Sequence, residues 1–557
     1  MTKEALYKLI TVSLPIVLLL LLEGALRITG YGQNYALFNQ VSIEGRPDYL
    51  EMNPAIAKKY FKDKGFHSDN QFDLFLKTKT DSTYRVFVQG ASTTVGFPYY
   101  HGGAFPRMLK HRLSQTFPEK NIEVVNTGIT AVNSYTLWDL TDRIIDQKPD
   151  LIIIYAGHNE YYGALGTGSS RSLGRQPTLV RTYLYLKDFR FFQLLENTMS
   201  SLINHEANPS KIGETTLMEV MAKEQRIPLQ SESYQTGIDQ FESNMDRILA
   251  KYKKNNIPVI LSTLVSNEKD IKPFISDSLE NEEELIHDLK NSSLSAATKK
   301  AQNNALAAYL LGQYYLEYHI DSAQKYLHLA KELDLLRFRA PDDINRTILR
   351  LGQKHDYPLV DMEKVFLTHS PKKVIGDELM MEHVHPNVQG YFLMADAFYE
   401  KMKKLNHVSN NWPTYISYDE AILDLPITAI DSIKGKYVTD NLKKSWPYNL
   451  KMAGSRALMP YSLENASYEE KMVLNLINNR STWKEAMTQS YEMYKRKGDY
   501  KQALKVAQSL ILEYPETAKL YRSAGEMCIK LNQPDKANYY FQKYAFLSDH
   551  QGLSISF

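Results

Sequence analysis

The chain has 557 residues, of which 23% are charged, and a formal net charge of +2. This length allows more than one domain, and the charge balance gives no basic face of the kind that binds nucleic acid. Cys528 is the only cysteine, which excludes an intramolecular disulfide framework and a multi-cysteine zinc site. The 38 tyrosines suit carbohydrate contacts and suit the packing of helical repeats equally well.

The first apolar segment, residues 6–28, is long enough for a transmembrane helix. Glu23 and Arg27 interrupt it one helical turn apart, so the two side chains can pair near the membrane interface. Two lysines precede its apolar centre, which favours a cytoplasmic N-terminus and a periplasmic or extracellular location for the remainder. A cleaved signal peptide also fits the length, but no small-x-small cleavage site follows. We therefore expect a single-pass signal anchor, followed by a linker over residues 30–83.

Five short apolar runs alternate with helical patterns in the next part of the chain. This alternation predicts a parallel sheet covered by helices on both faces. Polar residues follow several of these runs, at the sheet edge where α/β proteins place their functional groups. The predicted strands are Tyr84–Val88, Ile122–Asn126, Asp150–Tyr155, Pro258–Leu264 and Pro358–Asp361.

Ser92 lies on the turn that leaves the first predicted strand, in the sequence RVFVQGASTTVG. A serine hydroxyl is a weak nucleophile and needs a base within hydrogen-bonding reach. His385 is the predicted base, and Glu382, three residues earlier, can orient its imidazole ring. A tetrahedral oxyanion also needs fixed donors. The backbone N–H groups of Ser92 and Gly128 and the side-chain amide of Asn159 are expected to supply them.

These residues resemble the four sequence blocks of the SGNH hydrolase family, the GDSL-type esterases and acylhydrolases. The resemblance implies a flavodoxin-like three-layer α/β domain with Ser92 as nucleophile and His385 as base. It also implies that Gly128 and Asn159 belong to the oxyanion hole. The chain departs from the family pattern by reading Gly-Ala-Ser for Gly-Asp-Ser and by having Glu382 where aspartate is usual. The matching positions are residues 90–92, Gly128, residues 157–159 and residues 382–386.

Three further polar residues near these blocks have open roles. His158 and Glu160 flank Asn159 and fit either substrate contacts or structural roles, with Glu160 as a helix cap. His383 and His385 alternate as a metal-binding pair can, but no second carboxylate-histidine cluster completes a ligand set. We therefore expect no metal and no cofactor.

The catalytic domain is predicted to cover residues 84–407, with a helical insertion over about residues 294–340. This insertion ends near Arg337 and Arg339, which surround a phenylalanine. The two arginines fit contacts to an anionic substrate group, and they fit ion pairs within the fold equally well.

Residues 408–557 are predicted to form a helical domain. Ala503 and Ala537 are 34 residues apart, a period that resembles tetratricopeptide repeats. Such repeats stack to leave a groove that binds a peptide or protein partner. A helical cap with no ligand is the alternative interpretation.

The leading hypothesis is a membrane-anchored serine esterase that acts outside the cytoplasm through an acyl-enzyme on Ser92. Its expected substrate is an O-acyl ester, with an O-acetylated glycan as the natural class for that location and a lipid ester as another. One alternative keeps the same residues but makes the chain an O-acyltransferase accessory of a polysaccharide-modifying membrane complex. The other alternative is a non-catalytic scaffold of tetratricopeptide-like repeats.

Overall fold

The structure is a computed structural model, and it describes most of the chain. Within the described part, a parallel α/β domain is followed by a long run of helices, and one apolar helix precedes both. The described residues are 2–61, 73–170, 176–203, 216–278, 282–290, 294–453 and 466–549.

The strands of the described residues form two sheets. Strands β1 to β3 pair antiparallel, and strands β4 to β8 form a parallel sheet in the order β5-β4-β6-β7-β8. This is the flavodoxin-like order, and all five strands predicted from the apolar runs are present. The strands are β1 Phe38–Val41, β2 Tyr49–Met52, β3 Phe75–Leu76, β4 Thr83–Gly90, β5 Asn121–Asn126, β6 Leu151–Tyr155, β7 Val259–Ser262 and β8 Leu359–Val360.

The register of the parallel sheet brings the loops that carry the predicted site residues to one edge. Val88 of β4 is level with Asn126 of β5, and Gly90 of β4 is level with Tyr155 of β6. The loops that leave these three strands therefore start at similar heights. Strand β6 is buried along its whole length, as expected for a parallel strand between two helical layers. The strand that ends at this edge is therefore held in place by packing.

Helices cover the parallel sheet in two groups. Helix α3 packs against α15, while α4 packs against α8 and α8 against α13. The helices are α1 Lys3–Ile28, α2 Ser92–Val95, α3 Phe105–Thr116, α4 Ser134–Ile145, α5 Pro177–Leu186, α6 Arg190–Ile203, α7 Leu217–Met221, α8 Glu232–Lys254, α9 Glu282–Lys290, α10 Leu294–Ala301, α11 Ala305–Tyr315, α12 Ile320–Leu333, α13 Asp342–His355, α14 Met362–His369, α15 Val388–Lys404, α16 Tyr418–Leu423, α17 Ala429–Lys444, α18 Tyr468–Ile477, α19 Trp483–Lys497, α20 Tyr500–Glu513, α21 Ala518–Lys530 and α22 Pro534–Asp549.

Helix α1 is long and apolar enough to cross a membrane. Its stretch Thr11–Ile28 has a mean hydropathy of 1.9, and only 6% of that stretch is buried in the protein. Glu23 accepts a hydrogen bond of 2.7 Å from Arg27, so the two charges pair as expected. Glu23 also accepts a hydrogen bond of 3.0 Å from the backbone N–H of Phe191, which joins α1 to the start of α6.

The segment between α1 and the parallel sheet is more than a linker. It carries the three antiparallel strands, and its aromatic side chains enter the main core. The ring of Phe75 lies edge-on to Phe38 at 5.0 Å and to Phe87 of β4 at 5.5 Å. These strands were not predicted, because they are two to four residues long and lack a clear alternation of apolar and polar residues.

Helices occupy the region predicted as an insertion. Helices α10, α11 and α12 lie within it, and α9 precedes them. Gly312 of α11 faces Leu327 of α12 so closely that a Cβ atom on the glycine would lie 2.7 Å from the leucine side chain. The two helices therefore form a tight hairpin.

The C-terminal helices α18 to α22, together with Ile430 of α17, build a small core separate from the main one. Ala503 and Ala537, whose spacing led to the prediction of a repeat, are both buried. A Cβ atom on Gly525 of α21 would lie 2.7 Å from the ring of Phe541 on α22, so these helices also pack closely. Cys528 is 0% exposed within this core, and burial raises the pKa of its thiol to about 12.

Candidate active site

Ser92 is the first residue of α2, directly after β4. The sharp turn before it depends on Gly90, where a Cβ atom would lie 2.4 Å from the backbone oxygen of Tyr155. No larger residue fits between β4 and β6 at this point. The serine is thereby lifted off the carboxyl end of the sheet with its side chain partly exposed.

The imidazole ring of His385 lies directly beside the Ser92 hydroxyl. The distance between His385 Nε2 and Ser92 Oγ is 2.7 Å, and His385 Nδ1 forms a short contact with Glu382 Oε1. The structure therefore brings together the three residues predicted as nucleophile, base and orienting acid. With Nδ1–H donated to the carboxylate, Nε2 is left to accept the proton of the serine.

The loop that carries His385 is fixed on both sides. The backbone N–H of Asn387 donates to the carbonyl of Leu379 at 2.9 Å, and the backbone N–H of Met381 donates to the carbonyl of His385 at 2.8 Å. Asn387 then caps α15, its side chain accepting from the backbone N–H of Gly390 at 3.0 Å. The ring of Phe97 covers the imidazole of His385 at 4.7 Å between centroids, so the base has little freedom to turn.

Glu382 is 0% exposed, and donors surround its carboxylate. The backbone N–H groups of His383 and His385 each donate to it at 2.8 Å. The ring of His383 and the hydroxyl of Tyr448 contact its Oε2 atom. Hydrogen bonds to the charged form of a carboxyl group stabilise that form. Tyr448 belongs to the region predicted as a separate helical domain, so nothing in the sequence pattern pointed to it.

Burial keeps the histidines of the site neutral. It lowers the pKa of His385 to about 3, and it lowers the pKa of His383 well below its ordinary value. A neutral His385 can accept a proton at neutral pH, as a general base must.

Two of the three predicted oxyanion donors are open. Ser92 begins α2, so its backbone N–H has no partner within the helix. Asn159 lies on the turn after β6 and is partly exposed, and no hydrogen bond of the described residues engages its side-chain amide. Both groups lie at the edge of the sheet that carries the serine hydroxyl.

Gly128 does not offer the free donor that was expected. Its backbone N–H donates to Asn126 Oδ1 at 2.9 Å, and the Asn126 amide in turn donates to the carbonyl of Thr94 at 2.6 Å. A Cβ atom on Gly128 would lie 3.0 Å from the backbone nitrogen of Val95. The glycine is needed because the β5 loop approaches α2 this closely. Gly128 thus packs against the turn that carries Ser92.

Glu160 is engaged inside the protein. Its carboxylate accepts hydrogen bonds from the backbone N–H of Ser134 at 3.1 Å and from the Ser134 hydroxyl at 2.7 Å, and Gln240 also donates to it. Burial raises the pKa of Glu160 to about 7. Glu160 therefore accepts from the first residue of α4, a helix whose N-cap is Asn133 and which precedes β6, whereas the expected helix was the one after that strand. These contacts favour the structural role over a substrate contact.

His158 is buried, and its imidazole interacts electrostatically with that of His385. Its Nδ1 atom accepts a hydrogen bond of 3.3 Å from the backbone N–H of Ala340, and its Nε2 atom has no partner among the described residues. Burial, followed by repulsion from His385, lowers its pKa to about 3. His158 thus joins the turn after β6 to the segment before α13, and this contact favours its structural role.

The two arginines of the insertion are also buried within the fold. Arg337 donates to the carbonyl of Ile227 at 2.9 Å. Arg339 donates to the carbonyl of Asn267 at 3.0 Å and to the carboxylate of Asp334 at 2.9 Å. Both arginines are thus engaged within the fold, Arg339 in an ion pair and Arg337 with backbone carbonyls, which disfavours the contact with an anionic substrate.

One cluster of the described residues has the spacing of a metal site. His328, Glu332 and Asp342 place ligand atoms within 4.8 Å of one another. The ammonium group of Lys331 lies 2.9 Å from Asp342, however, and supplies a positive charge there. Burial opposes a charge on His328, but Glu268 and Asp342 overcome it and raise the pKa of His328 to about 10. A protonated imidazole has no lone pair to give to a metal.

No family model matches the chain, and no curated protein matches it. Among solved structures, a lipase/acylhydrolase from Enterococcus faecalis is 14% identical, with a TM-score of 0.27 over 58% of this chain and 96% of the other. A GDSL-like lipase from Bacteroides thetaiotaomicron is 12% identical, with a TM-score of 0.28 over 59% and 93%. A catalytic mutant of an acetylxylan esterase from Geobacillus stearothermophilus is 13% identical, with a TM-score of 0.29 over 61% and 100%. Scores this low do not define a common fold.

Proposed function

We propose that the chain is a serine esterase of the SGNH hydrolase type that forms an acyl-enzyme on Ser92. The observation that carries this proposal is the continuous contact from the Ser92 hydroxyl through His385 to Glu382. These atoms lie at the carboxyl edge of a parallel sheet with flavodoxin-like strand order. Serine, histidine and carboxylate in this arrangement are the working parts of acyl transfer.

In the proposed reaction, Ser92 Oγ attacks the carbonyl carbon of an ester while its proton moves to His385 Nε2. The tetrahedral oxyanion accepts hydrogen bonds from the Ser92 N–H and the Asn159 amide. The C–O bond to the alcohol then breaks, and the alcohol leaves with the proton from His385. A water molecule next attacks the acyl-enzyme, giving its proton to His385, and the carboxylic acid is released as Ser92 recovers its proton.

The surroundings of Glu382 support a role for this residue in the proposed cycle. When His385 takes the serine proton, it becomes an imidazolium in a buried place where a charge is costly. The adjacent carboxylate offsets this cost and holds the ring with Nε2 towards the serine. Its own charge is stabilised by the backbone N–H groups of His383 and His385.

We further propose that α1 anchors the chain in a membrane and that the remainder acts outside the cytoplasm. The mean hydropathy of 1.9 over Thr11–Ile28 and its small buried fraction support the anchor. O-acetylated glycans are the substrate class that fits this location. The C-terminal helix hairpins are proposed to resemble tetratricopeptide repeats and to bind a protein partner.

Labelling and turnover test the proposed function. A fluorophosphonate probe is expected to modify Ser92, as located by mass spectrometry, and the protein is expected to hydrolyse a chromogenic acetate ester. Ser92→Ala should abolish labelling and lower kcat by about 10⁴-fold or more. Ser201→Ala, which changes an exposed serine on α6, is the control and should change neither. Absence of labelling in the folded wild-type protein would leave the scaffold as the better interpretation.

The same assay separates a hydrolase from a transferase. A hydrolase turns over the acetate ester continuously in water. A transferase would give a rapid first release of the chromophore and then stall, resuming when a glycan with free hydroxyl groups is added. The second result would keep the acyl-enzyme on Ser92 but replace the proposed hydrolysis with transfer.

A further inference from the structure

We propose that Tyr448, from the segment after α17, is a positioning residue that fixes Glu382 against His385. This inference rests on the proposed function of Ser92 and His385 and adds a residue to that site. It also means that the C-terminal part of the chain contributes a side chain to the active site.

The contact that carries the inference is buried and specific. The Tyr448 hydroxyl donates to Glu382 Oε2, the oxygen that does not contact His385. The same hydroxyl lies 2.7 Å from His383 Nδ1. His385 therefore contacts one oxygen of the carboxylate and Tyr448 contacts the other. Rotation of the carboxylate would break both contacts.

The segment that carries Tyr448 packs against the α/β domain. The ring of Tyr448 lies edge-on to Phe274 at 5.1 Å, and Trp446 lies edge-on to Phe338 at 6.2 Å. The carbonyl of Trp446 accepts a hydrogen bond of 3.0 Å from the Thr216 hydroxyl. These contacts on several sides define where the tyrosine hydroxyl can lie.

Helix α17 connects this segment to the C-terminal helices. Its residue Asp431 accepts a hydrogen bond of 2.8 Å from the Trp483 indole N–H of α19. Its residue Gly435 faces Tyr99 of the loop after α2, where a Cβ atom would lie 2.6 Å from the tyrosine ring. Tyr448 itself is thus held by the α/β domain, while α17, which leads to it, contacts both the α/β domain and the C-terminal helices.

Removal of the hydroxyl should affect the chemical step more than substrate binding. Tyr448 contacts Glu382 and not the serine, so its loss would let the carboxylate and then the imidazole depart from their working geometry. Hydrogen bonds to charged groups are among the stronger ones. Tyr448→Phe, which keeps the ring, is expected to lower kcat by roughly 10- to 100-fold with KM changed less than twofold.

Two further proteins make the test specific. Incorporation of p-aminophenylalanine at position 448 restores an N–H donor and should recover most of the lost kcat. Tyr415→Phe removes a hydroxyl that donates to Glu400 at 3.0 Å on the surface, and it should leave kcat unchanged. Thermal unfolding of each protein shows whether the fold is kept.

Three outcomes would overturn the inference. They are a kcat of Tyr448→Phe within twofold of the wild type, a loss confined to KM, or a loss of kcat that the amino analogue does not recover in a folded protein. Failure of the proposed function looks different. In that case the wild-type protein itself is not labelled at Ser92, and no variant at position 448 changes a rate.

Discussion

Two glutamate–histidine pairs, one at the sheet edge and one under the C-terminal helices, show how surroundings decide the role of a buried carboxylate. At the sheet edge, Glu382 contacts His385, and the other donors around it are backbone N–H groups, a neutral imidazole and a tyrosine hydroxyl. Under the C-terminal helices, Glu513 of α20 lies 2.6 Å from His101 Nδ1, and the guanidinium of Arg107 contacts the same oxygen.

The two pairs differ in whether an arginine contacts the carboxylate and in what else the imidazole ring contacts. Arg107 is 0% exposed and neutralises Glu513, so that pair forms a closed ion pair between α3 and α20. The ring of His101 is stacked on Trp483 at 3.9 Å. His385 instead presents its far nitrogen to the Ser92 hydroxyl. In the proposed reaction, the charge of Glu382 is thus available to a His385 imidazolium, whereas that of Glu513 is already paired with Arg107 between α3 and α20.

The strongest test of this comparison exchanges each histidine for alanine. His385→Ala removes the base and is expected to lower kcat by about 10⁴-fold or more, because the serine then has no proton acceptor. His101→Ala, its counterpart under the C-terminal helices, should leave kcat within a factor of about three of the wild type while lowering the melting temperature. Similar losses of kcat in both variants would contradict the separation of roles.

The next largest effect is expected for the carboxylate at the sheet edge. Glu382→Gln keeps the size of the side chain but removes the charge and offers the wrong partner to His385 Nδ1. Loss of the corresponding charge in a catalytic triad costs about 10⁴-fold in kcat. Steady-state kinetics on an acetate ester would measure it. A silent substitution would mean that another group orients His385.

Glu513→Gln should change stability and leave the chemistry intact. It removes one of the two carboxylates beside the buried Arg107 guanidinium, the other being Asp73 at 3.3 Å, and breaking a buried ion pair costs up to about 3–5 kcal/mol. Denaturant unfolding measures this loss, and kcat near the wild-type value is the matching expectation. A large loss of kcat in the folded variant would show that docking and catalysis are not separate.

The pH dependence of stability offers a second test of Glu513. Burial opposes its charge, but Arg107 and His101 overcome this and lower its pKa to about 2. An ordinary glutamate in the unfolded chain titrates near ~4.3. The pair therefore stabilises the fold fully above that value, and the contribution is lost as the pH falls towards 2. The stability difference between wild type and Glu513→Gln should shrink over this interval, as urea unfolding at each pH would show.

The smallest effect is expected within the C-terminal helices alone. Gly525→Ala places a Cβ atom 2.7 Å from the ring of Phe541, so the ring or the helix must shift. Overpacking costs about 1–3 kcal/mol, and the better helix propensity of alanine offsets up to about 1 kcal/mol of it. Lys530→Ala, at an exposed position of the same helix, is the control for thermal unfolding. An increase in stability would show that α21 and α22 are packed less tightly than described.

The sequence predicted the parallel sheet because its strands are marked by local patterns. Each apolar run is bounded by turn residues, and Ser92, Asn159 and His385 follow runs or sit in short motifs. Parallel pairing in flavodoxin-like order then brings loops from distant parts of the chain to one edge. This is why the residues of the proposed triad could be chosen before their distances were known.

The remaining features depend on contacts that no local pattern records. Gly128 was expected to donate to an oxyanion, but its N–H is engaged by Asn126, two residues earlier. Tyr448 and Glu382 are separated by 66 positions, and Arg107 and Glu513 by 406. Such pairs are defined only when the C-terminal helices pack against the α/β domain. The predicted domain boundary near residue 408 therefore separated residues that are in contact in the structure.

The buried thiol of α21 has a practical consequence for measuring this packing. Cys528 is the only cysteine of the chain, and it is 0% exposed, with its pKa raised to about 12 by burial. Thiolate is the reactive form, so this side chain should resist maleimide reagents in the native protein. Pairs of surface cysteines can then be introduced and carry fluorophores without removal of the native one. Energy transfer between such dyes would report whether the C-terminal helices leave the α/β domain when a partner binds.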